Sequence, residues 1–191
     1  ENEYTGSIPY QRAKRDPQDN DKHYFSGKSP EFWAPFGVSD KDLEIFYGPK
    51  HIPKGTEIHF FGYYRKHIPQ ENFYYCAEHT GFKPNPERTI GTYSKYASLD
   101  DVMDFLHYYC AFLKFGIGRA TSDAAHEIRD GHITREEGVA LVHKFDGEFS
   151  DSVFAINCDF MGLSIDEGHA ILEKLKSPQL WENGLLKYRV A

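Results

Sequence analysis

The chain has 191 residues, 40% of them apolar and 27% charged, with 3 Cys and a formal net charge of −7. That is the length of one ordinary domain, or of a partial domain with a smaller one attached, and is enough to bury a core without disulfide staples. No run approaches the roughly 18 apolar residues of a membrane span. Cys76, Cys110 and Cys158 make neither a disulfide framework nor a metal knuckle, and the negative balance argues against a nucleic-acid surface. The expected location is cytoplasmic. The first residue is Glu1 rather than Met, which raises the expectation of a fragment.

Two kinds of sequence meet at Ala97. Residues 1–97 carry 13 Lys+Arg and 13 Asp+Glu, whereas residues 98–191 carry 9 and 16, so the whole −7 belongs to the second part. Nine of the ten prolines lie in the first part.

Residues 1–55 are rich in Gly and Pro, interrupted at Ser39 and Asp42 by a weak capping box that predicts a helix of one or two turns. Glu57-Ile-His-Phe-Phe-Gly-Tyr-Tyr64 has the aromatic content of a strand buried on both faces. Pro69-Gln70-Glu71 then opens a helix that ends before Gly81. A strand, a helix and a long preceding loop predict that residues 1–97 end in the last β-α unit of an α/β sheet. A lone strand is not a stable sheet.

From Ser98 onward the period is helical. Leu99, Val102, Met103, Leu106, Tyr109, Cys110 and Leu113 share one face, and Ser98 with Asp101 is expected to cap its start. Further helices are expected over Thr121 to Asp130, from Thr134 to Gly147, over Ser150 to Phe160, and from Ser164 to Lys176. The third and fifth of these five helices echo each other at an offset of 30 residues: Thr134-x-x-Glu137-Gly138-x-Ala140 against Ser164-x-x-Glu167-Gly168-x-Ala170. Two copies are too few for a solenoid, so residues 98–191 read as a helical domain of packed hairpins.

Asp130-Gly131 through Glu137 imitates half of a calcium loop, but the first and third ligands would be His126 and Ile128, which excludes it. None of the ten histidines has ligand spacing, and no metal site is expected from them. Two segments could offer backbone N–H groups to an anion: Gly116-Ile117-Gly118-Arg119, and the loop Gly91 to Asp101. Lys114, Arg119, Thr121 and Asp123 gather near the first. The two cations there could grip a phosphate or carboxylate, or pair with neighbouring carboxylates.

Gly62-Tyr63-Tyr64 with Pro69-Gln70-Glu71-Asn72, Gly91-Thr92-Tyr93-Ser94-Lys95-Tyr96-Ala97-Ser98-Leu99-Asp100-Asp101, Lys114 to Asp123, Ile128 to Glu137 and Ser177-Pro178-x-Leu180-Trp181 together resemble the C-terminal part of the N-acetyl sugar amidotransferases. Glu1-Asn2-Glu3-Tyr4-Thr5-Gly6 resembles a further loop of that family. The family serves lipopolysaccharide and nonulosonic acid biosynthesis.

The resemblance implies a partial adenine-nucleotide α-hydrolase-like α/β sheet of the ATP-pyrophosphatase type, followed by an all-α region. It implies ATP and Mg²⁺ as cofactors, and adenylylation of an acetamido oxygen followed by ammonia attack to give an acetamidino group. It also implies a sugar nucleotide or nonulosonic acid as substrate, with glutaminase and cyclase-like subunits supplying ammonia. By motif position, Asp100, Asp101 and Asp123 would be catalytic, and Asn2, Lys95, Lys114 and Arg119 would bind substrate. The family's SGGxDS phosphate loop and N-terminal cysteine cluster have no counterpart in the 191 residues. This chain by itself is therefore not expected to adenylylate. A non-catalytic helical module docking a glutaminase partner is the alternative, and a catalytically dead sugar-nucleotide binder a third reading.

Overall fold

The computed structural model describes residues 13–15, 28, 30–44 and 53–187, and among them the protein is mostly helical. The chain forms two compact units, residues 1–67 and 68–191. This division falls upstream of the compositional break at Ala97, because the loop Thr89–Ala97 packs with the helices that follow it.

In the first unit β1 (Lys14–Arg15) pairs antiparallel with β2 (Ile58–His59), Lys14 opposite His59. Between them lie α1 (Pro30–Trp33), which continues as a 3₁₀ turn to Phe36, and α2 (Asp40–Leu43). The capping box at Ser39 and Asp42 forms as expected. The expected eight-residue strand does not. Ile58 and His59 pair as a strand, Phe60 stays extended with its N–H donating to Ala13 O (3.0 Å), and the chain then turns into α3 (Phe61–Tyr64), leaving Phe61, Tyr63 and Tyr64 exposed. Among the described residues the run meets only Lys14–Arg15 as a partner strand, and an aromatic run becomes a longer strand only where a neighbour supplies the ladder. The only sheet in this unit among the described residues is this antiparallel pair, so the α/β sheet is not seen there.

The second unit begins with α4 (Pro69–His79), opened by Pro69 as expected. Five helices follow: α5 (Asp104–Phe115), α6 (Arg119–Asp130), α7 (Arg135–Phe145), α8 (Asp151–Met161) and α9 (Ile165–Leu175). A hairpin of β3 (Trp181–Glu182) and β4 (Leu185–Leu186) closes the described part. The helical half is where the sequence places it. Capping boxes form at Thr134 and Ser164, and Gly131 and Gly162 end α6 and α8 in the left-handed conformation.

One start is corrected. Ser98 has φ +54°, incompatible with the extended backbone of an N-cap, so α5 begins at Asp104. Ser98 Oγ donates instead to Asp104 Oδ2 (2.7 Å), and Asp101 Oδ1 accepts from Met103 N (2.7 Å).

Leu106, Phe112 and Leu113 of α5 meet Phe154 and Cys158 of α8 and Leu172 of α9 in the core. The 30-residue echo is two helical hairpins, α6 with α7 and α8 with α9. In each, the repeated glycine marks a close approach. A Cβ on Gly138 would stand 2.6 Å from Ile128 Cδ1, and one on Gly168 would stand 2.6 Å from Cys158 Sγ and 2.8 Å from Phe154 Cζ.

Candidate functional site

The corner between α5 and α6 gathers several polar contacts between distant segments. Gly116 (φ +71°) ends α5, and Gly118 occupies the cap position of α6 with no side chain to cap it. The missing cap comes from elsewhere in the chain. Asp146, extended just past the end of α7, accepts from Gly118 N (3.0 Å), Thr121 N (3.1 Å) and Thr121 Oγ1. The backbone N–H groups expected to meet an anion do meet one, and it is this carboxylate.

The second anion-seeking loop is filled in the same way. Glu148 Oε2 accepts from Gly91 N (2.7 Å), and both Glu148 oxygens take the guanidinium fork of Arg88, at 2.7 and 2.5 Å. Arg88 Nη1 also donates to Thr92 O (3.1 Å), and its guanidinium lies over the Phe145 ring at 4.7 Å. Hydrogen bonds from Arg88 hold the Glu148 carboxyl below the usual range, against its partial burial. Asp146 and Glu148 flank Gly147, so one turn supplies the internal anion to both loops.

Arg119 and Asp123 form the third element. Arg119 has its side chain 11% exposed and donates through Nε to Asp123 Oδ1 (3.2 Å) and through Nη1 to Ser98 Oγ (3.3 Å). Its guanidinium stacks over Tyr108 at 4.4 Å, with Asp104 Oδ2 3.8 Å away. Asp123 Oδ2 accepts from the Oγ1 of fully buried Thr92 (2.6 Å). Ala120 N donates to Gly91 O (3.0 Å), completing the tie between loop and helix.

Beside this corner, Tyr93 and Glu127 form a half-buried pair. Burial pushes the Tyr93 hydroxyl up, helped by the charge of Glu127. Burial also pushes Glu127 up, with the Tyr93 hydroxyl opposing it.

Of the residues expected at a site, the structure brings Arg119 and Asp123 together and engages the others elsewhere. Lys95 Nζ donates to Pro86 O (2.8 Å), and Lys114 is exposed with Nζ over the Phe115 ring at 5.3 Å. Asp100 and Asp101 lie on an exposed turn before α5, and Asp101 serves as a local cap. Asn2 lies outside the described residues.

Arg88, Asp146 and Glu148 were missed. Their signal is Asp-Gly-Glu directly after a helix, two carboxylates in a turn that leaves them no helical dipole of their own to serve. The cavity lined by Gly91, Tyr108, Phe112, Gly118, Arg119 and Glu148 has a volume of about 10 Å³, room for one water. Among the described residues no group of three or more His, Cys, Asp and Glu could hold a metal ion. Both Asp123 oxygens accept side-chain hydrogen bonds, Oδ2 from Thr92 and Oδ1 from Arg119, and no Mg²⁺ donor set gathers around it among the described residues.

The family model for the C-terminal domain of LPS biosynthesis protein WbpG-like proteins matches residues 90–190. The chain belongs to this family. Membership ties it to LPS biosynthesis. The match covers α5 to α9, the loop from Gly91 and the Asp146–Glu148 turn, so the polar corner is part of the WbpG-like domain. No curated protein matches the chain. Among the described residues no helix is long and apolar enough to cross a membrane.

Proposed function

We propose that this chain is the C-terminal part of an ATP-dependent amidotransferase that converts a sugar acetamido group to acetamidino in cytoplasmic surface polysaccharide or nonulosonic acid biosynthesis. The observation that carries the proposal is the WbpG-like match over residues 90–190, in line with the motif resemblance. In the proposed reaction the acetamido oxygen attacks the α-phosphorus of ATP and pyrophosphate leaves. Ammonia then adds to the activated carbon, and AMP departs with the oxygen. ATP, Mg²⁺ and the reacting atoms would be held by a phosphate-loop polypeptide, because Arg119, Asp123 and Asp146 of the α5–α6 corner are already engaged within the chain. The corner's part is to fix the loop Gly91–Ala97 against α6.

The self-satisfied corner also favours a second reading, in which the helical region is a non-catalytic module that docks the ammonia-supplying glutaminase and cyclase-like subunits. The test is reconstitution with a nucleotide-linked N-acetyl sugar, ATP, Mg²⁺ and ammonium. Product is read by mass spectrometry as replacement of the acetamido oxygen by NH, and AMP by chromatography. Turnover is expected when the chain is co-expressed with its phosphate-loop polypeptide, and not from the chain by itself. Full turnover by the phosphate-loop polypeptide with free ammonium and without this chain supports the module. Absence of product in every combination overturns the amidotransferase reading.

A further inference from the structure

The outer face of α8 is apolar where a two-hairpin bundle would be polar. Val153, Ile156 and Phe160 recur at i, i+3 and i+7, the spacing of one helical stripe. Ile156 is 57% and Phe160 78% exposed, although the opposite face of the same helix buries Phe154 and Cys158. Asn157, next to the stripe and fully buried, donates through Nδ2 to Val102 O (3.2 Å). That bond brings the turn before α5 alongside, with Val102 55% exposed.

The nearby chain is acidic. Asp100 and Asp101 directly precede Val102, and Asp151 and Asp159 lie on α8 itself, all four exposed, with Lys174 at the far end of α9. From Phe145 to Glu173 the sequence has seven Asp and Glu and no Lys or Arg. A second copy laid on this face through a twofold axis would set these carboxylates against their own images, which electrostatics opposes. The surface needs a partner that covers apolar side chains and brings cations around them.

We propose that the α8 face is a docking surface for a basic amphipathic helix of another protein. Its apolar side covers Ile156, Phe160 and Val102, and its Lys or Arg residues meet Asp100, Asp101, Asp151 and Asp159. None of these residues belongs to the α5–α6 corner; Asp100 and Asp101 are also carboxylates that the family resemblance would make catalytic, and the test below reads peptide binding rather than turnover.

The probe is a synthetic Leu/Lys amphipathic helical peptide, with a Leu/Glu peptide of the same apolar pattern as its counterpart. Fluorescence anisotropy with the full chain should show binding of the Leu/Lys peptide that weakens as salt is added, and none of the Leu/Glu peptide. Amide hydrogen exchange should slow over residues 99–103 and 151–161. The double variant Ile156→Ser, Phe160→Ser should weaken binding about tenfold or more, with an unchanged melting temperature because both side chains are exposed. Asp100→Asn, Asp101→Asn should lower affinity and flatten the salt dependence. Equal binding of the two peptides overturns the proposal, as does protection elsewhere or undiminished binding by the double variant. Sedimentation showing that the free chain dimerises through this face assigns the surface to a second copy and overturns the proposal equally.

Discussion

Glu148 receives Arg88 through two parallel N–H···O bonds, although 60 residues of sequence separate the pair. The same carboxylate holds Gly91 N, so one side chain pins both ends of the Arg88–Gly91 segment to the turn after α7.

Glu148→Gln should therefore lower stability by about 1–2 kcal/mol, since the pair is half-exposed and one bond of the fork survives. The pH dependence has a definite sign. Arg88 holds the Glu148 carboxyl below its ordinary value, so the stabilisation is complete above the unfolded pKa of about 4.3 and is lost as pH falls through the lower folded value. Melting temperatures of wild type and Glu148→Gln should differ at neutral pH and converge in acid. A gap that stays constant down to about pH 3 would show that the charge of Glu148 does not matter.

Asp146 is the cap that Gly118 lacks. Asp146→Ala should cost about 1–2 kcal/mol, the range for a lost N-cap, and should reopen the N-terminus of α6 to solutes. Inorganic phosphate or sulfate should then raise the melting temperature of Asp146→Ala more than that of the wild type. Equal shifts in the two proteins would contradict an internal anion at this helix end.

The helical region was legible because its signals are local. Ser or Thr followed by Glu at the third position, and Gly at the stop, act within one turn, and α6 to α9 end within a residue or two of where these residues put them. The anion-seeking loops were legible too, through Gly116, Gly118 and Gly91. What fills them was not, because Asp146 and Glu148 arrive from well outside either loop and nothing local announces the direction of a carboxylate. The strand expected over Glu57–Tyr64 is shorter for a related reason: β-propensity becomes a strand only where a neighbour supplies the ladder, and among the described residues β1 supplies two. Asp100 and Asp101, assigned to the first turn of a helix, precede it because Ser98 adopts a left-handed backbone that composition does not disclose.

The repeated glycines separate two costs. Gly→Ala within a helix gains about 0.5–1 kcal/mol of backbone entropy, while overpacking costs about 1–3 kcal/mol. At Gly138 the obstacle is the terminal methyl of Ile128, which can swing away. At Gly168 it is the buried ring of Phe154 and the Cys158 sulfur, which are wedged in the core. Gly138→Ala should be close to neutral, and Gly168→Ala should be destabilising by about 1–2 kcal/mol. Urea titration of the two variants compares them directly, and a costlier Gly138→Ala would mean that the second hairpin is the looser one.

Arg119 separates a structural corner from a substrate-gripping one. Its guanidinium is paired with Asp123, bonded to Ser98 and stacked on Tyr108, so Arg119→Ala leaves a part-buried carboxylate and an uncovered ring. The expected loss is about 2–3 kcal/mol, below the range for fully buried pairs. Arg119→Lys should recover a minority of it, because an ammonium cannot reproduce the stack on Tyr108 together with the separate bonds to Asp123 and Ser98. Coupling between Arg119→Ala and Asp123→Ala, measured in a double-mutant cycle by urea unfolding, should be about 1–2 kcal/mol. In the reconstitution that tests the proposed function, kcat should fall only as far as the folded fraction falls. A variant that stays folded yet loses turnover would move Arg119 from the scaffold to the substrate.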